Sequence, residues 1–391
     1  MSIRGVTSLD LKGKKVLLRC DFNVPLKDGR ISDPYLINAS LPTVCYVLQH
    51  GGAAVVCSHL GRPKGLQPEL SLKPVAQYLS NVLGVEVPLA PDCVGEATDR
   101  MVAALGRGRV LMLENLRFHP EEEANDPAFA QALARGKTVY VNDAFGTAHR
   151  AHASTAGVTR FIAEKAAGML VIRELEALRG VTGKPAHPYV LIMGGVKVSE
   201  KIGMLRNLIL KVDAILIGGA MAYTFLKARG AEIGKSRFEA DTLTSARELE
   251  SEAERKGVEL LLPIDHVVAS APEQDAVAEI VTAIPADKMA LDIGPRTIAE
   301  FIARIKSANT IVWNGPLGYL ELAAFAAGTH KVGEAIALSG AISVLAGGAT
   351  EAAVANEAWA SRFTHISAGG GATLEFLEGR ALPGLVALEE K

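Results

Sequence analysis

The chain has few of the features that mark membrane, secreted or nucleic-acid-binding proteins. Net charge is only −2 over 391 residues, and charged residues make up 21%, so no general attraction to nucleic acid or to a membrane surface is expected. No apolar run reaches the ~20 residues that span a bilayer, and the polar start "MSIRGVTSLDLKGKK" has no apolar signal segment. There are four cysteines, all in the first quarter and none spaced C-x-x-C (Cys20, Cys45, Cys57, Cys93). Buried free thiols are therefore expected rather than disulfides or a metal centre, and the expected location is the cytoplasm. Aromatics are sparse at 5%. The G-x-x-x-x-G-K-[ST] nucleotide loop is missing too. A last absence is local: the turn Gly347-Gly348-Ala349-Thr350 in "SVLAGGATEAAVANEA" has the form of a phosphate-binding strand-to-helix turn but lacks a carboxylate.

What the chain has instead is a large apolar fraction, 49%, and 38 glycines. That is enough apolar residue for two cores, and the length suggests two domains. Short apolar runs alternate with amphipathic stretches throughout. In the first half the runs are "KKVLLRCDF", "AAVVCSHL", "RVLMLEN" and "TVYVNDAF". In the second they are "PYVLIMGG", "DAILIGG", "VELLLPID", "MALDIG", "TIVWNGP" and "ISVLAGG". Strands apolar on both faces and separated by helices imply an α/β protein with mainly parallel sheets covered on each side. "EKAAGMLVIRELEALRGVTGKPAHP" reads as a long helical connector ending in a Gly/Pro break. The expected boundaries are 1–170, 171–372 and a terminal segment 373–391.

Ligands in open α/β sheets bind beyond the carboxyl ends of strands. In the first half those ends carry polar side chains: Asp21 and Asn23 in "RCDFNVPL", His59, Arg62 and Lys64 in "SHLGRPKG", Arg117 and His119 in "ENLRFHP", and His149, Arg150 and His152 in "AFGTAHRAHAST". Three arginines at successive strand ends suit a small anionic metabolite, because the planar guanidinium matches phosphate and carboxylate oxygens. The competing reading is solvated arginines paired with Glu121 to Glu123. His149 and His152 alone are too weak a pattern for a metal site. In the second half the strand ends are glycines: Gly194-Gly195, Gly218-Gly219, Gly294, Gly315 and Gly347-Gly348. So many flexible residues at strand ends let backbone approach a ligand closely. Lys197 and Lys201, spaced four apart on an expected helix, would repel unless a polyphosphate compensates them.

The ordered motifs "DFNVPL", "SHLGRPKG", "LENLRFHP", "VNDAFGTAHRAHAS", "GGVKVSEKI", "LIGGAMAYTFLKA", "LDIGP", "VWNGPLG" and "GGGATLEFLEG" cover the whole chain, which resembles the phosphoglycerate kinase family. The resemblance implies two doubly wound domains joined by a helix that closes like a hinge, with the C-terminal segment returning to the N-domain. It implies reversible phosphoryl transfer between Mg-ATP or Mg-ADP and the carboxylate of 3-phosphoglycerate, by a monomer, with Mg2+ as the ion. Asp21, Phe22, Asn23, His59, Leu60, Gly61, Arg62, Arg117 and Arg150 are then the acceptor site. Gly195, Lys201, Gly219, Gly294, Asn314, Glu321, Gly347, Gly348 and Thr350 are the nucleotide site, and Lys197 and Arg150 serve the transferring group. The chain departs from the family pattern at Leu36, where an arginine is usual, and at Ala349, where an aspartate is usual. It also departs at Val196 and Ala368. These departures leave two other readings open: a kinase of a different acidic acceptor, and a binding protein without turnover.

Overall fold

In the computed structural model, which describes residues 2–355 and 357–390, the chain divides into two compact units. One is formed by Met1–Leu175 with Ala381–Lys391, the other by Glu176–Arg380. The first division falls inside the helix Met169–Thr182. Its predecessor "EKAA", expected as the start of that helix, is instead the edge strand Glu164–Ala167. Edge pairing overrides propensity here: the segment lies parallel to Val139–Asn142, and Gly168 ends it.

The first unit's sheet is parallel throughout, in spatial order Val110–Met112, Ala53–Cys57, Lys15–Arg19, Val139–Asn142, Glu164–Ala167. In chain order that is 3-2-1-4-5, a doubly wound sheet whose order reverses between Lys15–Arg19 and Val139–Asn142. The strands are buried on both faces, as their mainly apolar centres such as residues 16–18 and 53–56 require. One core packs Val16, Leu18, Val56, Val110 and Val141 against Ile37, Val44 and Val47 of the helix Tyr35–Gln49. The C-terminal segment belongs to this unit: Gly384 N donates to Ala148 O at 2.8 Å, and Lys165 Nζ donates to Ala387 O.

The second unit repeats the plan with six parallel strands, in order Glu259–Leu261, Ala214–Ile217, Tyr189–Met193, Thr310–Asn314, Ile342–Ala346, His365–Ile366. The chain order is 3-2-1-4-5-6, and the reversal lies between Tyr189–Met193 and Thr310–Asn314. The run "MALDIG" does not join this sheet. Met289–Ile293 pairs antiparallel with His266–Ala269 in a separate three-stranded sheet, built over a small core of Tyr223, Ile233, Val268, Ile284 and Ala290. No helix among the described residues is long and apolar enough to cross a membrane.

At the first unit's reversal point, Asp143 is fully buried and accepts from Leu170 N at 2.9 Å. Burial pushes its carboxyl up to about 7. A folded-state value above the unfolded one means that the folded chain holds the extra proton between about pH 4 and 7. Stability from this group is therefore full at acid pH and declines as pH rises towards 7. Denaturant midpoints measured from pH 4 to 8 are expected to show a smaller acid-side advantage in Asp143→Asn than in the unmodified chain; identical profiles would contradict this.

Candidate functional site

The first unit gathers its polar strand ends at the reversal point. Asn23 follows the central strand, and its Oδ1 accepts from Gly61 N at 2.8 Å. Phe22 N donates to Ser58 Oγ at 2.8 Å and Leu60 N to Asn115 Oδ1 at 3.2 Å. Asp21, Phe22, Asn23, His59, Leu60 and Gly61 are thus linked loop to loop. Arg117, buried in the turn Leu116–Phe118, donates through Nη1 to Gly61 O at 2.6 Å and pairs with Glu123 at 3.0 Å. Arg150 Nε donates to His149 Nε2 at 3.2 Å. Arg62 is exposed.

These arginines feel one another. Burial first, then the charges of Arg150, Arg19 and Arg62, lower the proton affinity of Arg117 against the opposing pull of Glu123. Clustered like charges in a half-buried site are relieved when negative charge joins them, so this cluster can receive an anion. Glu123 is the one expected local acid that pairs with Arg117.

Arg19 is a member of this site that the motifs did not single out. It ends the central strand fully buried, donating from Nε to Ser154 Oγ at 2.8 Å and from Nη1 to Cys20 O. Ser154 Oγ in turn donates to Glu122 Oε1 at 2.5 Å. An arginine closing an otherwise apolar strand is the signal available in the sequence, since buried arginine is rare unless paired. Its Nη2 lies 3.2 Å from His59 Nδ1. A guanidinium can only donate, so Nδ1 accepts and the ring proton sits on Nε2. Burial foremost, then Arg19, Arg117 and Arg150, hold His59 well below the usual imidazole range. His152 falls to about 4, again mainly through burial. Nitrogen-15 NMR is expected to show His59 neutral and Nε2-protonated from pH 5 to 8; an imidazolium at pH 6 would contradict this.

The second unit's reversal point is built from backbone. A cavity of about 270 Å3 is lined by Gly195, Val196, Gly219, Tyr223, Asp292 and Glu321, among others. Gly219 has φ +63°, and a Cβ there would lie 2.6 Å from Gly195 N and 2.7 Å from Pro316 O. Gly219→Ala is therefore expected to deform the cavity wall and weaken the affinity for a ligand seated there by roughly tenfold or more, about 1.4 kcal/mol, in a calorimetric titration. Asp292, pushed up to about 7 by burial, accepts from Gly328 N and Ile293 N, both at 2.8 Å.

Lys197 and Lys201 do not share a helix face, because the helix Ile202–Leu208 begins only after Lys201. Gly195, at φ +90°, turns the chain instead. Lys197 lies at the surface 2.9 Å from Glu200. Lys201 is buried, with Nζ donating to Asn314 Oδ1. Burial lowers Lys201 to about 8 against the pull of Glu200. Gly294 follows the strand that left the main sheet, Met289–Ile293, whose Asp292 lines the cavity, and a Cβ at Gly294 would meet the Asp265 carboxyl carbon at 2.3 Å.

Next to Asn314 lies the turn that opens without a carboxylate. Gly347 has φ +103°, and a Cβ there would lie 2.8 Å from Asn314 Nδ2. Gly348 begins the helix Gly348–Val354, and Thr350 Oγ1 accepts from Gly315 N at 2.9 Å. Ala349 is exposed on the first turn. In the first unit, Leu36 is half-buried against the core at the start of the helix Tyr35–Gln49.

Comparison with known proteins gives a uniform result. The family model described as phosphoglycerate kinase matches residues 6–380. A phosphoglycerate kinase of Koribacter versatilis is 51% identical over the whole of both chains, and one of Moorella thermoacetica is 52% identical over 98% of each. Among solved structures, the phosphoglycerate kinase of Coxiella burnetii superposes with a TM-score of 0.92 at 39% identity, covering 99% of each chain. That of Pyrococcus horikoshii gives 0.85 at 31% identity, over 99% of this chain and 98% of the other.

Proposed function

Because this chain belongs to the phosphoglycerate kinase family, we propose that it catalyses the glycolytic, reversible transfer of a phosphoryl group between Mg-ATP and the carboxylate of 3-phosphoglycerate, giving 1,3-bisphosphoglycerate. The observation that carries this reading is the arginine cluster at the first unit's reversal point, with a guanidinium buried at Arg117.

In this reading the first unit holds the acceptor. Arg62, Arg117 and Arg150 neutralise its phosphate and carboxylate, Asp21 and Asn23 accept and donate to its hydroxyl, and neutral His59 donates from Nε2. The second unit holds the nucleotide, with the base side in the cavity beside Gly195 and Gly219, the ribose near Glu321, and the phosphates by Lys201, Asn314 and the turn Gly347 to Thr350. An acceptor carboxylate oxygen attacks the γ-phosphorus in line while the bond to the ADP oxygen breaks. The carboxylate enters already ionised, so no general base is needed. What the chain supplies is position and positive charge, from Arg150 of the first unit and Lys197 of the second.

Magnesium enters as part of the nucleotide substrate. Position 349 offers a methyl group where a carboxylate ligand would be placed, so the turn does not fit a protein-held ion. Mg2+ keeps phosphate oxygens and water as ligands readily. A coupled assay across 3-phosphoglycerate, 2-phosphoglycerate, phosphoglycolate and glycerate is expected to give turnover fastest with 3-phosphoglycerate. A faster alternative acid would overturn the acceptor assignment.

A further inference from the structure

The loop 91–95 and His119, just after the turn Leu116–Phe118, bring together three donors of different chemistry that the phosphoryl-transfer reading leaves unused. Asp92 Oδ1 accepts from Cys93 N at 2.6 Å and lies 2.7 Å from His119 Nε2. One ligand atom from each of Asp92, Cys93 and His119 lies within 4.8 Å of the other two, the sole such trio of His, Cys, Asp and Glu side chains among the described residues. The thiol is fully buried, while the carboxylate and imidazole side chains are 47% and 28% exposed. The group therefore has a closed, sulfur side and an open, solvent side.

A plain surface Asp–His pair explains two of the three groups and adds little stability. The buried Cys93 side chain also hydrogen-bonds that of Asp92, so all three groups meet at one carboxylate. We propose that Asp92, Cys93 and His119 form a binding site for a thiophilic divalent cation of the Zn2+ class, with water as the fourth ligand on the solvent side. One thiolate, one imidazole and one carboxylate are a borderline-soft set that suits Zn2+ and disfavours Mg2+ and Ca2+, which demand oxygen ligands. With metal–ligand distances of roughly 2.0–2.3 Å, tetrahedral ligand atoms sit roughly 3.5 Å apart. The present separations reach that arrangement by local side-chain shifts, the Asp92–His119 pair opening as the ion enters between them.

The charges balance. The Cys93 S–H bond breaks, its proton passes to water or buffer, and a sulfur–metal bond forms with no change of oxidation state. The +2 ion then meets one carboxylate and one thiolate, a neutral set in a half-buried place. Occupied, the site ties the loop 91–95 to the turn that carries Arg117.

The test uses the full chain, freed of metal with a chelator and titrated with Zn2+ against a chromogenic competitor and with Co2+ in a spectrophotometer. Expected are one equivalent of bound Zn2+ and a near-ultraviolet thiolate-to-cobalt charge-transfer band. Cys93→Ser loses the band, and His119→Asn, altering a part-exposed side chain, weakens binding by about tenfold or more. Cys45→Ser binds as the unmodified chain does. Absence of stoichiometric binding, or binding and a band that persist in both Cys93→Ser and His119→Asn, would overturn the site.

Discussion

The double variant Leu36→Arg/Ala349→Asp is expected to turn over 3-phosphoglycerate at least about a hundredfold faster than the unmodified chain. Removing one preorganised charge from a site of this kind typically costs on the order of 10²–10³ in rate, and two charges usual in the family are replaced here by apolar groups. Ala349 is exposed on the first turn of Gly348–Val354, where an added carboxylate loses little hydration and is favoured by the helix N-terminus. Ala349→Asp alone is therefore expected to raise kcat and leave the acceptor KM unchanged. Leu36 is half-buried against the core, so its replacement removes part of a leucine's burial, roughly 1–2 kcal/mol, partly offset by the packed methylene stem of the new arginine. A lowered melting temperature together with a raised rate is the expected pair of results. Steady-state kinetics on both single variants and the double variant check it; a double variant no faster than its parent would mean that other side chains already cover both positions.

The second large effect is expected at Lys201. Its ammonium is buried, bonded to Asn314 Oδ1, and lowered to about 8, chiefly by burial. As the buried cation at the proposed phosphate site, it should be worth on the order of 10²–10³ in kcat/KM for nucleotide, the loss expected in Lys201→Met. Since the group is charged below its folded value and neutral above it, kcat/KM should fall as pH rises through about 8. Lys201→Arg keeps a cation that does not titrate in this range, so its profile should stay flat there even if the rate is lower. Rate measurements from pH 6 to 10 separate the three forms. An unmodified chain with no limb near pH 8 would show that this ammonium is not the group in control.

Much of this architecture is legible in the residues alone. Runs such as "AAVVCSHL" and "PYVLIMGG" are apolar on both faces, and only a sheet covered by helices on each side accommodates them. The polar ends of the first set and the glycine ends of the second mark the two proposed binding surfaces, one in each unit. The order itself is not legible. Nothing in "MALDIG" distinguishes an antiparallel partner of His266–Ala269 from a main-sheet strand, although its Asp292 still lines the cavity beside the main-sheet glycines. Spacing misplaces Lys197 and Lys201 for a related reason. A four-residue interval implies one helix face only where a helix exists, and Gly195 at φ +90° delays that helix until Ile202. Arg19 escapes because a strand's last residue reads as part of the core. Its function comes from partners far along the chain, His59 and Ser154.

The most direct test of phosphoryl transfer is to trap its product. The unmodified chain is incubated with Mg-ATP, 3-phosphoglycerate and hydroxylamine, and the acyl hydroxamate and ADP are quantified together. Hydroxamate in equal amount to ADP, and absent when 3-phosphoglycerate is left out, is the expected result. ADP released without hydroxamate, or no ADP at all despite calorimetric binding of both substrates, would contradict transfer to the acceptor carboxylate.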